Sequence, residues 1–167
     1  MPIIPEPYFR TAYRGLNEFE EDMLREYLRR EEPDITRLET RVRVGPGDRI
    51  DRPAPEALKE AWRQQTQFKI DVLMWTESVV RVLEIKDHIR SSALGQPLAY
   101  EFWLRAERSF DMPLRLEVAA PSINPTAVRP LRFRNIRVVP LSAEAEAKKQ
   151  LGLEAGRDLA EDAQRQA

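Results

Sequence analysis

The chain has 167 residues, of which 42% are hydrophobic and 33% are charged, and its formal net charge is −1. This length and composition are typical of one globular domain, so no second domain is required. The chain contains no cysteine, which excludes disulfides, zinc ribbons, thiol chemistry and cysteine-bound iron–sulfur clusters and leaves carboxylates as metal ligands. We find neither a long apolar run nor a basic and apolar leader, so we expect no transmembrane helix and no secretory signal.

The first elements in the chain are an arm and an amphipathic helix. Residues 1–14 are rich in proline and carry large apolar side chains without a periodic pattern. Residues 16–30 carry a helical apolar stripe, which contains Leu16, Phe19, Met23, Leu24 and Tyr27. Glu20 also projects within this stripe, and its ordinary interpretation is a residue at the stripe edge whose carboxylate reaches water.

A strand and an insertion follow this helix. Residues 35–44 alternate as a strand does, and one face carries Arg37, Arg41 and Arg43. Residues 45–67 form an insertion, with a Pro-rich loop and a short helix over residues 55–64. An insertion in this place can act as a cap over a neighbouring site.

Two strands joined by a hairpin hold the most informative residues. Residues 68–75 alternate, and a second apolar run covers residues 79–86. A four-residue connection at 76–79 pairs Trp75 with Val80, places Asp71 opposite Glu84, and puts Lys86 on the same face as Glu84. Buried charges are costly unless they are paired or bind a metal, so this arrangement predicts a hard divalent cation beside the lysine.

A helix, two strands and a tail complete the chain. Pro97 lacks an N–H and fits only the first turn of a helix, so this helix is predicted to begin at Gln96 or Pro97 and to run to residue 109. Strands are predicted at 114–120 and 133–139, with a loop rich in Pro and Asn between them. Residues 142–167 form a charged, Ala- and Glu-rich tail with helical character.

The series Asp71, Glu84-Ile85-Lys86 and then Gln96-x-x-x-Tyr100 resembles the signature of the PD-(D/E)xK nuclease superfamily, in its RecB-like form. The resemblance covers residues 15–141 and implies an α/β, restriction-endonuclease-like fold. In that fold an αβββαβ core forms a central mixed sheet flanked by helices, here with an extra C-terminal strand. Without the resemblance, Gln96 and Tyr100 are most simply a helix cap and a core tyrosine.

The resemblance also implies roles for these residues. Asp71 and Glu84 would bind Mg²⁺ or Mn²⁺ together with the Ile85 carbonyl, and Glu20 on the first helix would complete the metal site. Lys86 would orient the attacking water and help to deprotonate it. Gln96 and Tyr100 would border the site, and the substrate would be a DNA phosphodiester bond.

Basic residues offer a second signal for nucleic acid, although the net charge near zero weakens it. The stretch 123–141 contains no acidic residue and carries Arg129, Arg132, Arg134 and Arg137. Together with Arg37, Arg41 and Arg43, these residues are either a track for nucleic-acid phosphates or a solvated sheet face, and the sequence leaves both interpretations open.

The near-neutral charge and the two terminal segments favour a different class of function, a catalytically silent nuclease-fold subunit that acts as a structural or adaptor protein. Residues 1–14 and 142–167 would then contact other copies of the chain or a larger assembly. By analogy, phage or mobile-element machinery is a typical setting for such small nuclease-fold proteins. The expected location is the cytoplasm or a virion assembled there, without membrane contact.

Overall fold

The computed structural model describes residues 13–31, 33–108 and 111–141. The elements follow in the order α1 (Glu18–Glu31), β1 (Arg37–Val44), α2 (Glu56–Thr66), β2 (Phe68–Trp75), β3 (Val80–Ile85), β4 (His88–Ile89), α3 (Gly95–Glu107), β5 (Leu114–Ala120), β6 (Ser122–Ile123), α4 (Pro125–Phe133) and β7 (Arg137–Pro140). A 3-10 turn at Ser91–Leu94 precedes α3.

Five strands form one mixed sheet in the order β1-β2-β3-β5-β7. The pairs β1–β2 and β2–β3 are antiparallel, whereas β5 and β7 join in parallel. The predicted α/β fold, with an αβββαβ core and an extra C-terminal strand, is therefore confirmed. The short strands β4 and β6 form a separate parallel pair, which the sequence did not predict.

Helices cover both faces of the sheet, and each face has its own apolar core. The core on the α1 face includes Met23, Leu24, Tyr27, Leu28, Val72, Met74, Leu83, Ile85, Ala119 and Val139. The core on the opposite face includes Val42, Val44, Ile70, Leu73, Val80, Val82, Tyr100, Leu104, Leu116, Val118 and Leu131. Packing against both faces fixes the strand register, since a slip by one residue would move each apolar set into the opposite core, among different neighbours.

The register of the β2–β3 hairpin is the one predicted. Trp75 pairs with Val80, and the ladder continues to Val72 opposite Leu83. Within the four-residue connection, the Thr76 hydroxyl oxygen accepts a hydrogen bond from the Val79 N–H at 3.1 Å. This local bond favours the tight connection, and the same register brings the next residues, at 71 and 84, to the end of the hairpin.

Strand β1 changes its buried face at one residue. Arg41 has a φ of 52°, a left-handed conformation that costs a non-glycine residue about 1–3 kcal/mol. Leu38, before it, packs against the α1 core, whereas Val42 and Val44, after it, lie in the opposite core. Residues two apart normally share a face, so the reversal at Arg41 is a local kink that directs its side chain to the sheet end.

Residues 124–136 differ from the prediction. The sequence predicted a loop up to residue 132 and a strand from 133, but α4 occupies Pro125–Phe133 and β7 begins only at Arg137. The Asn124 side chain accepts a 3.0 Å hydrogen bond from the Thr126 N–H, and Pro125 opens the helix. Both are helix-start signals, which the prolines of this segment obscured.

The insertion and the N-terminal arm also differ in detail from the prediction. Helix α2 buries none of its residues, and none of them lines the candidate site, so this helix does not cap it; Gln67, at the end of the insertion, does line the site. Tyr13, which was assigned to the arm, is only 4% exposed and packs in the α1 core. The rest of the arm, residues 1–12, and the tail, residues 142–167, lie outside the described residues.

Within the described ranges, no helix is long and apolar enough to cross a membrane.

Candidate active site

The predicted acidic residues lie in one cleft at the end of the β2–β3 hairpin. Asp71 and Glu84 are each only 3% exposed. The cleft has a volume of about 310 Å³, and it is lined by Glu20, Asp71, Glu84, Ile85, Lys86 and Gln96, with Arg41, Gln67, Phe68 and Lys69 beside them. The structure thus brings together every predicted metal and catalytic residue and the accessory Gln96. The other accessory residue, Tyr100, does not line the cleft but contacts Glu84 through its hydroxyl.

Two donors hold the Asp71 carboxylate. Its Oδ2 accepts a 2.8 Å hydrogen bond from the Ile85 N–H, and its Oδ1 accepts a 2.6 Å bond from Arg41 Nη1. Burial, followed by the nearby charge of Glu84, raises the Asp71 pKa to about 7. The two carboxylates therefore repel each other in a poorly solvated place, which is the electrostatic condition that a bound cation relieves.

Tyr100 and Lys86 hold the Glu84 carboxylate. The Tyr100 hydroxyl donates to Oε2 at 2.8 Å, and Lys86 Nζ lies 2.5 Å from Oε1. Burial and the Glu84 charge raise the Tyr100 pKa, so the phenol keeps its proton and remains a donor. Gln96 Nε2 lies 3.4 Å from the same hydroxyl, and no side chain caps α3. The interpretation of Gln96 as a helix cap is therefore wrong.

Arg41 places a guanidinium among the acids. It binds Asp71 through Nη1, and Nη2 lies 2.7 Å and 2.5 Å from the two carboxylate oxygens of Glu20. Its Nε donates to the Gly15 carbonyl at 2.8 Å. The sequence placed Arg41 on an exposed basic face with Arg37 and Arg43. The Arg41 side chain points to the acids because β1 is kinked at this residue, and the alternation of the strand sequence does not reveal such a kink.

Glu20 has a structural partner that sequence reasoning missed. Its carboxylate accepts a hydrogen bond from the Asn17 N–H, and the Asn17 side chain accepts one from the Glu20 N–H, each at 2.9 Å. This reciprocal pair is a capping box at the start of α1, and the spacing Asn-x-x-Glu signals it in the sequence. Glu20 thus caps α1 and binds Arg41 at the same time.

The side chains of the cleft can be compared with the ligands that a divalent cation requires. No group of three or more acidic, histidine or cysteine side chains within the described ranges is arranged as a metal site. Mg²⁺ nevertheless binds commonly through one or two carboxylates, with waters and substrate phosphates as its other ligands. Two buried carboxylates beside the Ile85 main chain meet that need, so the residues fit a hard cation.

The seven predicted basic residues lie in different surroundings. Arg41 and Arg43 line a common cavity, whereas the Arg37 guanidinium lies 4.5 Å from the Trp75 ring centroid. Arg137 forms ion pairs with Glu31 and Glu117. The other three, Arg129, Arg132 and Arg134, are exposed on α4 or directly after it.

Comparison with known proteins adds one similar fold. No protein-family model matches the sequence, and no curated protein matches it. Among solved structures, the chain is similar to a repair endonuclease from Pyrococcus abyssi, with 17% sequence identity and a TM-score of 0.45. The similarity covers 77% of this chain and 49% of that chain, so this chain spans about half the length of that protein. A similarity at this level assigns no role to any residue.

Proposed function

We propose that this protein is a Mg²⁺- or Mn²⁺-dependent nuclease that hydrolyses DNA phosphodiester bonds. The observation that carries the proposal is the meeting of Asp71, Glu84 and Lys86 in one open cleft. Two adjacent buried carboxylates are costly, and hydrogen bonds from Ile85 and Tyr100 hold them in place. Such fixed, repelling acids beside an ammonium favour a metal site over a purely structural role.

Asp71 and Glu84 would hold the cation, together with the Ile85 carbonyl. Glu20 would join them only if Arg41 released its carboxylate. When bound, the cation lowers the pKa of a bound water and neutralises charge on the phosphoryl group.

The chain's own side chains position the reactants around that cation. As an ammonium paired with Glu84, Lys86 Nζ orients the attacking water, favours loss of its proton to solvent, and stabilises the charge on the phosphoryl oxygens. Tyr100 donates to one oxygen of Glu84 and so fixes the orientation of that carboxylate. Gln96, in the first turn of α3, lies at the cleft where the DNA strand would pass.

A cleavage assay on single- and double-stranded DNA with Mg²⁺ or Mn²⁺ tests this function. The wild-type protein should cleave, and Glu84→Ala should abolish cleavage. Glu101→Ala is the matched control, because Glu101 lies on α3 and pairs only with Arg105 among the described ion pairs. Loss of cleavage in both variants, or in neither, would contradict the assignment of Glu84.

One observation favours the second candidate, a catalytically silent adaptor subunit. Arg41 already neutralises Glu20 and Asp71, and Lys86 pairs with Glu84, so the cleft carries its own cations. Calorimetric titration with Mn²⁺ separates the two candidates. Heat of binding that disappears in Asp71→Ala supports the nuclease, whereas a protein that binds no Mn²⁺ and cleaves no DNA supports the adaptor.

A further inference from the structure

Two cations face each other on neighbouring strands beside the candidate site. Arg43 on β1 lies directly opposite Lys69 on β2 in the strand register. Like charges in this position destabilise a sheet. Neither residue forms an ion pair with any acid in the described part of the chain. Among the described residues the positive charge of this pair is therefore uncompensated, and an anionic ligand would compensate it.

The pair belongs to a larger basic pocket. A cavity of about 660 Å³ is lined by Arg14, Gly15, Thr40, Arg41, Arg43 and Lys69, and none of the described residues that line it is acidic. Arg41 and Lys69 also line the acidic cleft, so the two cavities are neighbours. Because the Arg41 guanidinium is held by acids, the cations available to a ligand are Arg14, Arg43 and Lys69.

Main-chain contacts hold Arg14 at this pocket. The Thr40 hydroxyl donates to the Arg14 carbonyl at 2.8 Å, and Arg41 Nε donates to the Gly15 carbonyl. Gly15 has a φ of 83°, and a Cβ at this position would lie 2.7 Å from Arg41 Cγ. The segment thus lies tightly against β1, which holds the main chain of Arg14 beside the cross-strand pair.

We propose that this basic pocket, formed by Arg14, Arg43 and Lys69, binds a backbone phosphate of the substrate strand on one side of the cleaved bond. The inference rests on the proposed function, since the pocket adjoins the acidic cleft. Contacts of Arg and Lys with phosphates carry no sequence information, so the pocket contributes affinity and register rather than sequence preference. Phosphate contact also makes the affinity depend on salt.

Fluorescence anisotropy in EDTA tests the pocket without any cleavage. Labelled oligonucleotides of one sequence, as single-stranded DNA, duplex DNA and RNA, are titrated at several salt concentrations. The double variant Arg43→Gln/Lys69→Gln should bind at least about tenfold more weakly at low salt. The slope of log affinity against log salt should become shallower by about 0.7–0.9 for each phosphate that the variant no longer neutralises.

A matched double variant controls for the loss of charge. Lys59→Gln/Arg105→Gln also removes one lysine and one arginine, from helices α2 and α3, and should keep the wild-type slope. Relief of the Arg43–Lys69 repulsion should leave the melting temperature of the test variant at or above that of the wild type. If the double variant fails to fold, Arg43→Gln and Lys69→Gln are measured singly, and each should still make the salt slope shallower than that of the wild type.

The results also separate this inference from the proposed function. A wild-type protein that cleaves DNA, with test and control variants of equal affinity and slope, would overturn the pocket and leave the nuclease proposal standing. A wild-type protein that binds no nucleic acid in EDTA would also overturn the pocket. A slope change confined to the test variant, in a protein that cleaves nothing, would support phosphate binding by the pocket but contradict the nuclease proposal.

Discussion

Arg41 lies at the level of Asp71 in the β1–β2 pair and donates a 2.6 Å hydrogen bond to its Oδ1. The neighbouring pairs, Thr40 with Val72 and Val42 with Ile70, keep one register on both sides of it. The same guanidinium also binds Glu20. The acidic cleft therefore contains an internal cation, and a divalent metal would compete with it for two of the acids.

Removing the Arg41 cation should strengthen metal binding. Arg41→Met frees Asp71 and Glu20, and the loss of charge-assisted hydrogen bonds worth about 1.5–3 kcal/mol corresponds to Mn²⁺ affinity about ten- to hundredfold higher. Calorimetric titration measures this change. Without metal the variant should melt below the wild type, because the buried Asp71 carboxylate loses its partner, and Mn²⁺ should restore the melting temperature.

Arg37→Met is the control for that experiment. Arg37 lies on the same strand, but it contacts Glu39 and Trp75 rather than the cleft. Its substitution should leave the Mn²⁺ affinity unchanged. Equal affinities for the wild type and Arg41→Met would show that the guanidinium does not compete with the metal.

Loss of Lys86 should slow cleavage while binding persists. Lys86→Ala removes the group that we propose orients the attacking water, so single-turnover cleavage should fall by about two orders of magnitude or more. Mn²⁺ and DNA binding should be retained. The control is Lys59→Ala on α2, whose ammonium pairs with Glu56. A cleavage rate equal to that of this control would remove Lys86 from the mechanism.

Substitution of two buried tyrosines on opposite faces of the sheet can separate an effect on stability from an effect on catalysis. Tyr100 donates to Glu84, and Tyr27 donates to the buried Glu117 at 2.6 Å. Tyr100→Phe and Tyr27→Phe each remove the hydroxyl donor of a buried carboxylate oxygen, and the Glu117 oxygen keeps only the longer 3.5 Å bond from Arg137. Each should lower the free energy of unfolding by about 1–3 kcal/mol in urea denaturation. Only Tyr100→Phe should also slow cleavage, and equal effects of both variants on the rate would contradict a role at the cleft.

Local signals in the sequence are sufficient for the hairpin that carries the site. Alternation and a four-residue turn fix Trp75 opposite Val80, and the positions of Asp71, Glu84 and Lys86 follow. The position of Arg41 does not follow, because it depends on one left-handed residue and on the pairing of β1 with β2. Helix α4 was missed for a related reason, since its prolines favour a loop locally while Leu131 is fully buried in the tertiary core.

The terminal segments provide a separate prediction about assembly. The sequence predicts that residues 1–14 and 142–167 contact another subunit or protein, but Tyr13 is buried in this chain's own core. The two deletions should therefore remove residues 1–12 and residues 142–167. Light scattering should show an oligomer that dissociates after both deletions, with residues 13–141 still folded. A monomer before and after deletion, with one melting temperature, would contradict the assembly role.

The most direct test of the central claim is the DNA cleavage rate of the wild type and of Asp71→Asn, measured against Mn²⁺ concentration. The substitution keeps the size of the buried side chain but removes the charge that would hold the cation. We expect the wild-type rate to rise with Mn²⁺ to a plateau and to vanish in excess EDTA. Asp71→Asn should show no cleavage at any Mn²⁺ concentration. Wild-type cleavage that persists in EDTA, or Asp71→Asn cleavage at the wild-type rate, would contradict the metal-dependent mechanism.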